Sequence, residues 1–214
     1  MRLYPLNDVV LSIKGNAQNF LKGLSSNTTQ APYNAFLNLY GRIVSTFYQQ
    51  MVSDDEFLIA VASVNVEKLL KHLELYAKLN NTQIRPTEFK AYMDLESAGY
   101  VFKTEDFQAQ VSEEEFTLFR LKNNLPLLGV DYHVDEFILN IDEHTFVSYS
   151  KGCFLGQEPV SKVHNRSKPS RKLVVKFEDE CTQIEKAMMT SKTKDPQSGR
   201  IQGFVFIHNQ GEKT

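Results

Sequence analysis

Two cysteines, Cys153 and Cys181, are all that the 214 residues contain. They do not form a CxxC pair. Two thiols make no disulfide framework, and a chain that is 42% hydrophobic has core enough not to need one. No apolar run approaches the ~18 residues of a membrane span. The opening MRLYPLNDVVLSIKG lacks the basic start and long apolar run of a secretory leader. A net charge of −2 provides no global field for nucleic acid or a membrane surface. Internal repeats and low-complexity linkers are also missing. These absences lead us to expect a cytoplasmic globular protein with reduced thiols, built as one large domain or two small ones.

The elements that are present read as α+β. The run VVLSI (9–13) is short and mostly β-branched, as a strand is. NAQNFLKGL follows, with Asn16 as a candidate N-cap, Gly23 as a candidate stop, and Phe20, Leu21 and Leu24 as an apolar face. Residues 41–62 hold two β-rich runs around a polar turn, Ser53-Asp54-Asp55-Glu56. Val66, Leu69, Leu70, Leu73, Tyr76 and Leu79 then recur at the spacing of an amphipathic helix, with Asn65 to cap it. Residues 83–95 read as a strand pair or one bent strand, and Pro86 confines its first part to an edge. Ser112 before Glu113, Glu114 and Glu115 marks a helix start that runs to about Asn123, with Pro126 beyond it. That acidic run is explained by the helix end and needs no further role. KLVVKF (172–177) and residues 199–209 read as strands of a small β module.

The chemistry concentrates in KGCFLGQEPVSKVHNRSKPSRK (151–172). Its six basic residues, Lys151, Lys162, Arg166, Lys168, Arg171 and Lys172, face one acid, Glu158. Such a block either attracts a carboxylate or phosphate ligand or is a solvated strand-edge loop. Cys153 stands between Gly152 and Gly156, which permit backbone shapes that a Cβ blocks. A zinc site assembled from Cys153, Cys181, His144 and His164 matches no standard spacing. A cysteine hydrolase needs a positioned histidine that nothing in the sequence fixes. Lys151 and the basic block favour a thiolate. Gln157 and Glu158 offer hydrogen-bonding groups beside it. A reactive thiol and a small buried hydrophobe both remain open for Cys153 on these grounds.

Lys151, Gly152, Cys153, Phe154, Gly156, Gln157 and Glu158 together resemble the Lys-Gly-Cys-Tyr/Phe-x-Gly-Gln-Glu signature of the YgfZ-type folate-binding proteins. Those proteins are relatives of the glycine cleavage T-protein, an aminomethyltransferase. VLSIKGNAQNFLKGLSSN, GRIVSTFYQQMVSDDEFLIAV and FRLKNNLPLLGVD (with Arg120, Pro126 and Gly129) resemble further segments of that family in the same order. The resemblance covers residues 5–180 well and the tail weakly.

The resemblance implies a fold of ferredoxin-like and antiparallel-sheet units around a central channel, with a small C-terminal β-barrel-like module. It divides the chain into a folate-binding body of two intertwined subdomains (1–167) and a module (168–214). It implies tetrahydrofolate or a derivative in the channel, with Arg120, Lys151, Gln157 and Glu158 as candidate folate contacts and a structural salt bridge as the other role open to Arg120. Cys153 is then the key reactive residue, and Gly152, Phe154 and Gly156 shape the motif backbone. The function implied is an accessory role in iron–sulfur cluster assembly or repair, with client or assembly proteins as partners. The alternative is folate-dependent one-carbon transfer, and a third reading is an interaction module whose folate site has decayed. Departures favour the accessory role. The acid that assists transfer in aminomethyltransferases is replaced by Ser45 or Thr46, neither of which takes up a proton as a carboxylate does. A glutamate and a glycine of the later segment are replaced by Lys122 and Asn124, and the loop SSNTTQ lacks the family's usual Asp.

Overall fold

Alternation along the first strand organises the body. The structure, a computed structural model, describes residues 2–209; Met1 and residues 210–214 of the expected module lie outside the described residues. In β1 (Leu3–Lys14), Leu11 and Ile13 are buried in one apolar cluster and Val10 in another. Successive side chains of a strand point to opposite faces, so both faces of this strand are covered. After it come α1 (Ala17–Leu24), β2 (Tyr33–Leu37), β3 (Ile43–Ser53) and β4 (Glu56–Ala62), then α2 (Val66–Leu79), β5 (Gln83–Asp94) and β6 (Gly99–Lys103). The strands form one antiparallel sheet in the order β2-β3-β4-β1-β5-β6. Phe20 and Leu21 of α1 and Leu69 and Leu73 of α2 pack on one face against Leu11, Ile13, Phe36, Phe57 and Ile59.

The expected hairpin is β3–β4, with Asp54 and Asp55 in its turn. Residues 83–94 form one strand, and Pro86 lies where β5 pairs with β1 alone, since β6 joins it only from Lys90 onward. Four local expectations need correction. Gly23 does not stop α1, which ends when Ser25 turns extended. Asn16 stands at the N-cap position, but its side chain caps no helix N–H; its Oδ1 accepts from Asn19 Nδ2 instead. Asn65 likewise makes no side-chain cap, because its amide donates to the Val44 carbonyl and anchors α2 to β3. Leu79 is exposed, where the periodicity put it on the apolar face.

Helix α3 (Glu113–Lys122) starts as expected, with Ser112 Oγ accepting from Glu115 N at 3.1 Å. Two short segments follow, α4 (Glu143–Phe146) and α5 (Gln157–Arg166). The last elements are β7 (Arg171–Phe177), α6 (Gln183–Met188), β8 (Thr190–Lys194) and β9 (Ile201–His208). Among the described residues, β7, β9 and β8 form a three-stranded antiparallel sheet in that order. The boundary expected at 167/168 falls in the short link between α5 and β7. Leu173 and Phe204 of this sheet share a buried cluster with Leu37, Ile43, Leu128 and Tyr132 of the body. No helix of the described residues is long and apolar enough to cross a membrane.

Besides the shared cluster and the Arg171–Glu136 ion pair, a buried carboxylate fastens the module to the body. Asp131 Oδ2 accepts from Arg120 Nη1 at 2.6 Å and from Leu127 N at 2.8 Å. Its Oδ1 accepts from Thr190 Oγ1 at 2.7 Å and Ser191 Oγ at 2.6 Å. Arg120 Nη2 donates to the same Ser191 hydroxyl at 2.7 Å, and the guanidinium lies over the rings of Phe116 and Phe204. Both ionic side chains are almost wholly shielded, at 5% and 0% exposed. Removing one partner of such a pair strands the other charge in the interior. Asp131→Ala is therefore expected to lose about 3–5 kcal/mol of stability, measured by urea unfolding. A loss under ~1 kcal/mol would show that the pair is no anchor.

Candidate functional site

The face of the sheet opposite α1 and α2 carries an aromatic layer. Tyr48 of β3 stacks on Tyr100 of β6 at 4.5 Å with the rings 8° from parallel. Tyr33 of β2 meets both edge-on, at 5.6 Å and 6.1 Å, and Phe146 of α4 meets Tyr33 at 6.3 Å. Between this layer and the loop from Pro126 to Tyr132 lies a cavity of about 250 Å³. Thr46 lines it and shares a 2.7 Å hydrogen bond with the Tyr132 hydroxyl. Val64 and Val130, both well exposed, also line it and make its rim apolar.

Asp8 is the one charged residue in the cavity lining, and neither lysine, arginine nor histidine lines it. It sits on β1 opposite Ala62 of β4, two residues before Val10 and so on the same face. Burial pushes its carboxyl up to about 6. No described group donates a hydrogen bond to it. Its charge in turn helps to raise the phenols of Tyr100 and Tyr132, for both of which burial is the main cause. Burial also pushes Tyr33 to about 12, and the Tyr33 hydroxyl is a buried group without a partner among the described residues. Aromatic walls with a few convergent polar groups make a small-molecule site. The volume is slightly below the ~300–1,000 Å³ usual for drug-sized ligands.

A smaller space of about 30 Å³ adjoins the cavity and shares Tyr33, Tyr100, Pro126, Leu127 and Phe146 with it. Arg120 lines this smaller space, with its charge committed to Asp131. Of the two roles open to Arg120, the structural ion pair is therefore formed.

The signature segment lies elsewhere. Gly156 caps α5 with φ 83°, and a Cβ there would stand 2.4 Å from the Asn38 carbonyl oxygen, so only glycine lets α5 approach the β2–β3 turn this closely. Gly152 has no such constraint, with nothing within 4 Å of an added Cβ. Phe154 is buried beside Val160 of α5 in the cluster shared by body and module. Lys151 reaches back to donate to the Ser25 and Asn27 carbonyls, and burial lowers its amine to about 8. Gln157 and Glu158 open α5, Glu158 exposed. Cys153 is a free, exposed thiol in an open depression of about 430 Å³ that also takes in Lys22, Gly23, Thr29 and Lys151. Cys181 is buried, and its thiol donates to the Phe177 carbonyl at 3.3 Å.

The structure thus groups Lys151, Gly152 and Cys153 at the depression, with Phe154 and Gly156 holding the segment in place. None of Lys151, Gln157 and Glu158 lines the aromatic cavity, which sequence reasoning did not assemble. Its tyrosines come from distant strands. The one local signal was Asp8 itself, an acid within a strand, where Asp is depleted. Among the described residues no group of three or more His, Cys, Asp or Glu side chains could hold a metal ion.

No family model and no curated sequence matches this chain. Among solved structures, the chain is similar to the glycine cleavage system aminomethyltransferase T from Bartonella henselae, with a TM-score of 0.68 at 14% identity. The match covers 96% of this chain and 78% of that one. The likeness is one of fold: a mixed α and β architecture with antiparallel sheets.

Asp8 makes a pH-dependent contribution opposite in sign to that of a paired carboxylate. Its folded value of about 6 lies above the unfolded ~3.9, so the folded state holds the extra proton between the two. Stability from this group is present below ~4 and is lost as pH rises to about 6, by about 2–3 kcal/mol. The tyrosines around it titrate far higher and stay neutral there. Asp8→Asn is expected to match wild type at pH 4 and exceed it by about 2 kcal/mol at pH 7 in urea unfolding. An equal gap at both pH values would contradict the burial of this carboxylate.

Proposed function

We propose that the chain binds tetrahydrofolate or a derivative in the aromatic cavity and acts as a YgfZ-like accessory protein in iron–sulfur cluster assembly or repair, with Cys153 as the working thiol. Stacked tyrosines suit the flat pterin ring. The orphan Tyr33 hydroxyl and the unpaired Asp8 carboxylate are polar groups that such a ring can satisfy. The aminomethyltransferase-like fold agrees with this use of the cavity, and the KGCFLGQE signature adds the accessory role and a cytoplasmic setting. When bound, the folate would supply a one-carbon carrier or a reduced heterocycle; this chain's residues orient it and shield it from water.

The observation that carries the reading is the separation of the two places. Cys153 lines an outer depression and not the cavity. In this arrangement the thiol faces a client or assembly protein rather than the folate ring. The half-buried amine of Lys151 holds the segment to the 25–27 loop. Arg120 supports the cavity wall through Asp131 and does not pair with the ligand.

One observation favours the second reading, folate-dependent one-carbon transfer. Ser45 or Thr46 takes the place of the transferase acid, but Asp8 brings a carboxylate to the cavity that Thr46 lines, from another strand. Replacing Cys153 by Ala distinguishes the two. The accessory reading expects tetrahydrofolate affinity within twofold of wild type by calorimetry, with loss of iron–sulfur client activity in cells. Unchanged client activity would remove the role given to the thiol.

A further inference from the structure

We propose that Asp8 selects the cavity's ligand, its carboxylate accepting the paired N–H donors of a 2-amino-4-oxo heterocycle. This deepens the folate reading and rests on it. The cavity contains one charge and no cation to balance it, and no described donor reaches that charge. Thr46 and Tyr132 satisfy each other at 2.7 Å. Asn7, Ser63, Tyr48 and Tyr100 add neutral polar groups to the lining, but its one charge is the Asp8 carboxylate, which needs donors, and its fully buried orphan is the Tyr33 hydroxyl, which can give or take one. Asp8 is half-buried; a carboxylate partly withdrawn from water without a donor is costly, and two N–H groups presented side by side form a charge-assisted bidentate pair that offsets the cost. An amine beside a ring N–H on a flat bicycle offers that edge.

The same chemistry excludes ligands. A carboxylate or phosphate entering the cavity meets Asp8 as a like charge, so the acidic tail of a folate stays outside. A 2,4-dioxo heterocycle puts a carbonyl oxygen where the amine stood, against the carboxylate. Sites built to bond a ligand N–H reject analogues that lack it far more strongly than apolar pockets reject a change of size.

The test is calorimetric titration of wild type and Asp8→Asn with tetrahydrofolate, 2-amino-4-oxopteridine and 2,4-dioxopteridine. The proposal expects wild type to prefer the amino over the dioxo compound at least tenfold. Asp8→Asn, which is not expected to lose stability, should lose that preference and bind tetrahydrofolate at least tenfold more weakly. Tetrahydrofolate bound equally by both proteins would overturn the role of Asp8 and leave the folate reading standing. Wild type that discriminates the two fragments through Asp8 yet ignores tetrahydrofolate would uphold the role and overturn the folate reading. Wild type that binds none of the three would overturn both.

Discussion

The carboxylate of Asp131 is the interaction on which the rest of this structure depends. It takes four hydrogen bonds, from Arg120, the Leu127 amide, Thr190 and Ser191. These donors belong to α3, the Pro126–Tyr132 loop and β8, so one buried group fixes three parts of the chain relative to each other. The loop is the wall that closes the aromatic cavity against the sheet. The C-terminal sheet has a small cluster of its own, Cys181, Met189 and Val205, and shares Leu173 and Phe204 with the body. A buried ion pair with every oxygen satisfied is weak evidence for net stability but strong evidence for specificity of arrangement. Here it sets where the cavity wall stands.

The two functional places differ in their physics. The cavity is aromatic and holds a single uncompensated charge. The depression around Cys153 is open and bordered by Lys22 and Lys151. The two are linked through the backbone from Ser25 to Tyr33, whose carbonyls at Ser25 and Asn27 hold Lys151 and whose last residue lines the cavity. Under the proposed function, a ligand in the cavity and a partner at the thiol would act on neighbouring parts of one short segment.

Much of the body was legible because its signals are local. The β-branched run at 9–13, the polar turn at Asp54-Asp55, the spacing of α2 and the Ser112 cap each carry their own physical cause, and each element is present. Helix α5 was read as part of a basic loop, since its charges and Pro159 hide an apolar side that reduces to Val160. Strands β6 and β8 are short and gain their identity from pairing with β5 and β9. Beyond Asp8, an acid within a strand, the cavity was not legible, because Asp8, Tyr33, Tyr48, Tyr100 and Tyr132 are far apart in sequence and meet only through the sheet order and the loop packed on it. Arg120 was visible as a candidate, but its partner Asp131 and the hydroxyls of β8 were not. The signature cysteine stood out in sequence, and the structure adds its exposure and its distance in function from the aromatic layer.

The most direct test of this account is a crystal structure of the chain with tetrahydrofolate. It should show the pterin ring against the Tyr48–Tyr100 layer, its amino edge within ~2.7–3.0 Å of the Asp8 carboxylate, and Cys153 untouched by ligand. Density for the ring in the depression beside Cys153, with the aromatic cavity unfilled, would contradict it.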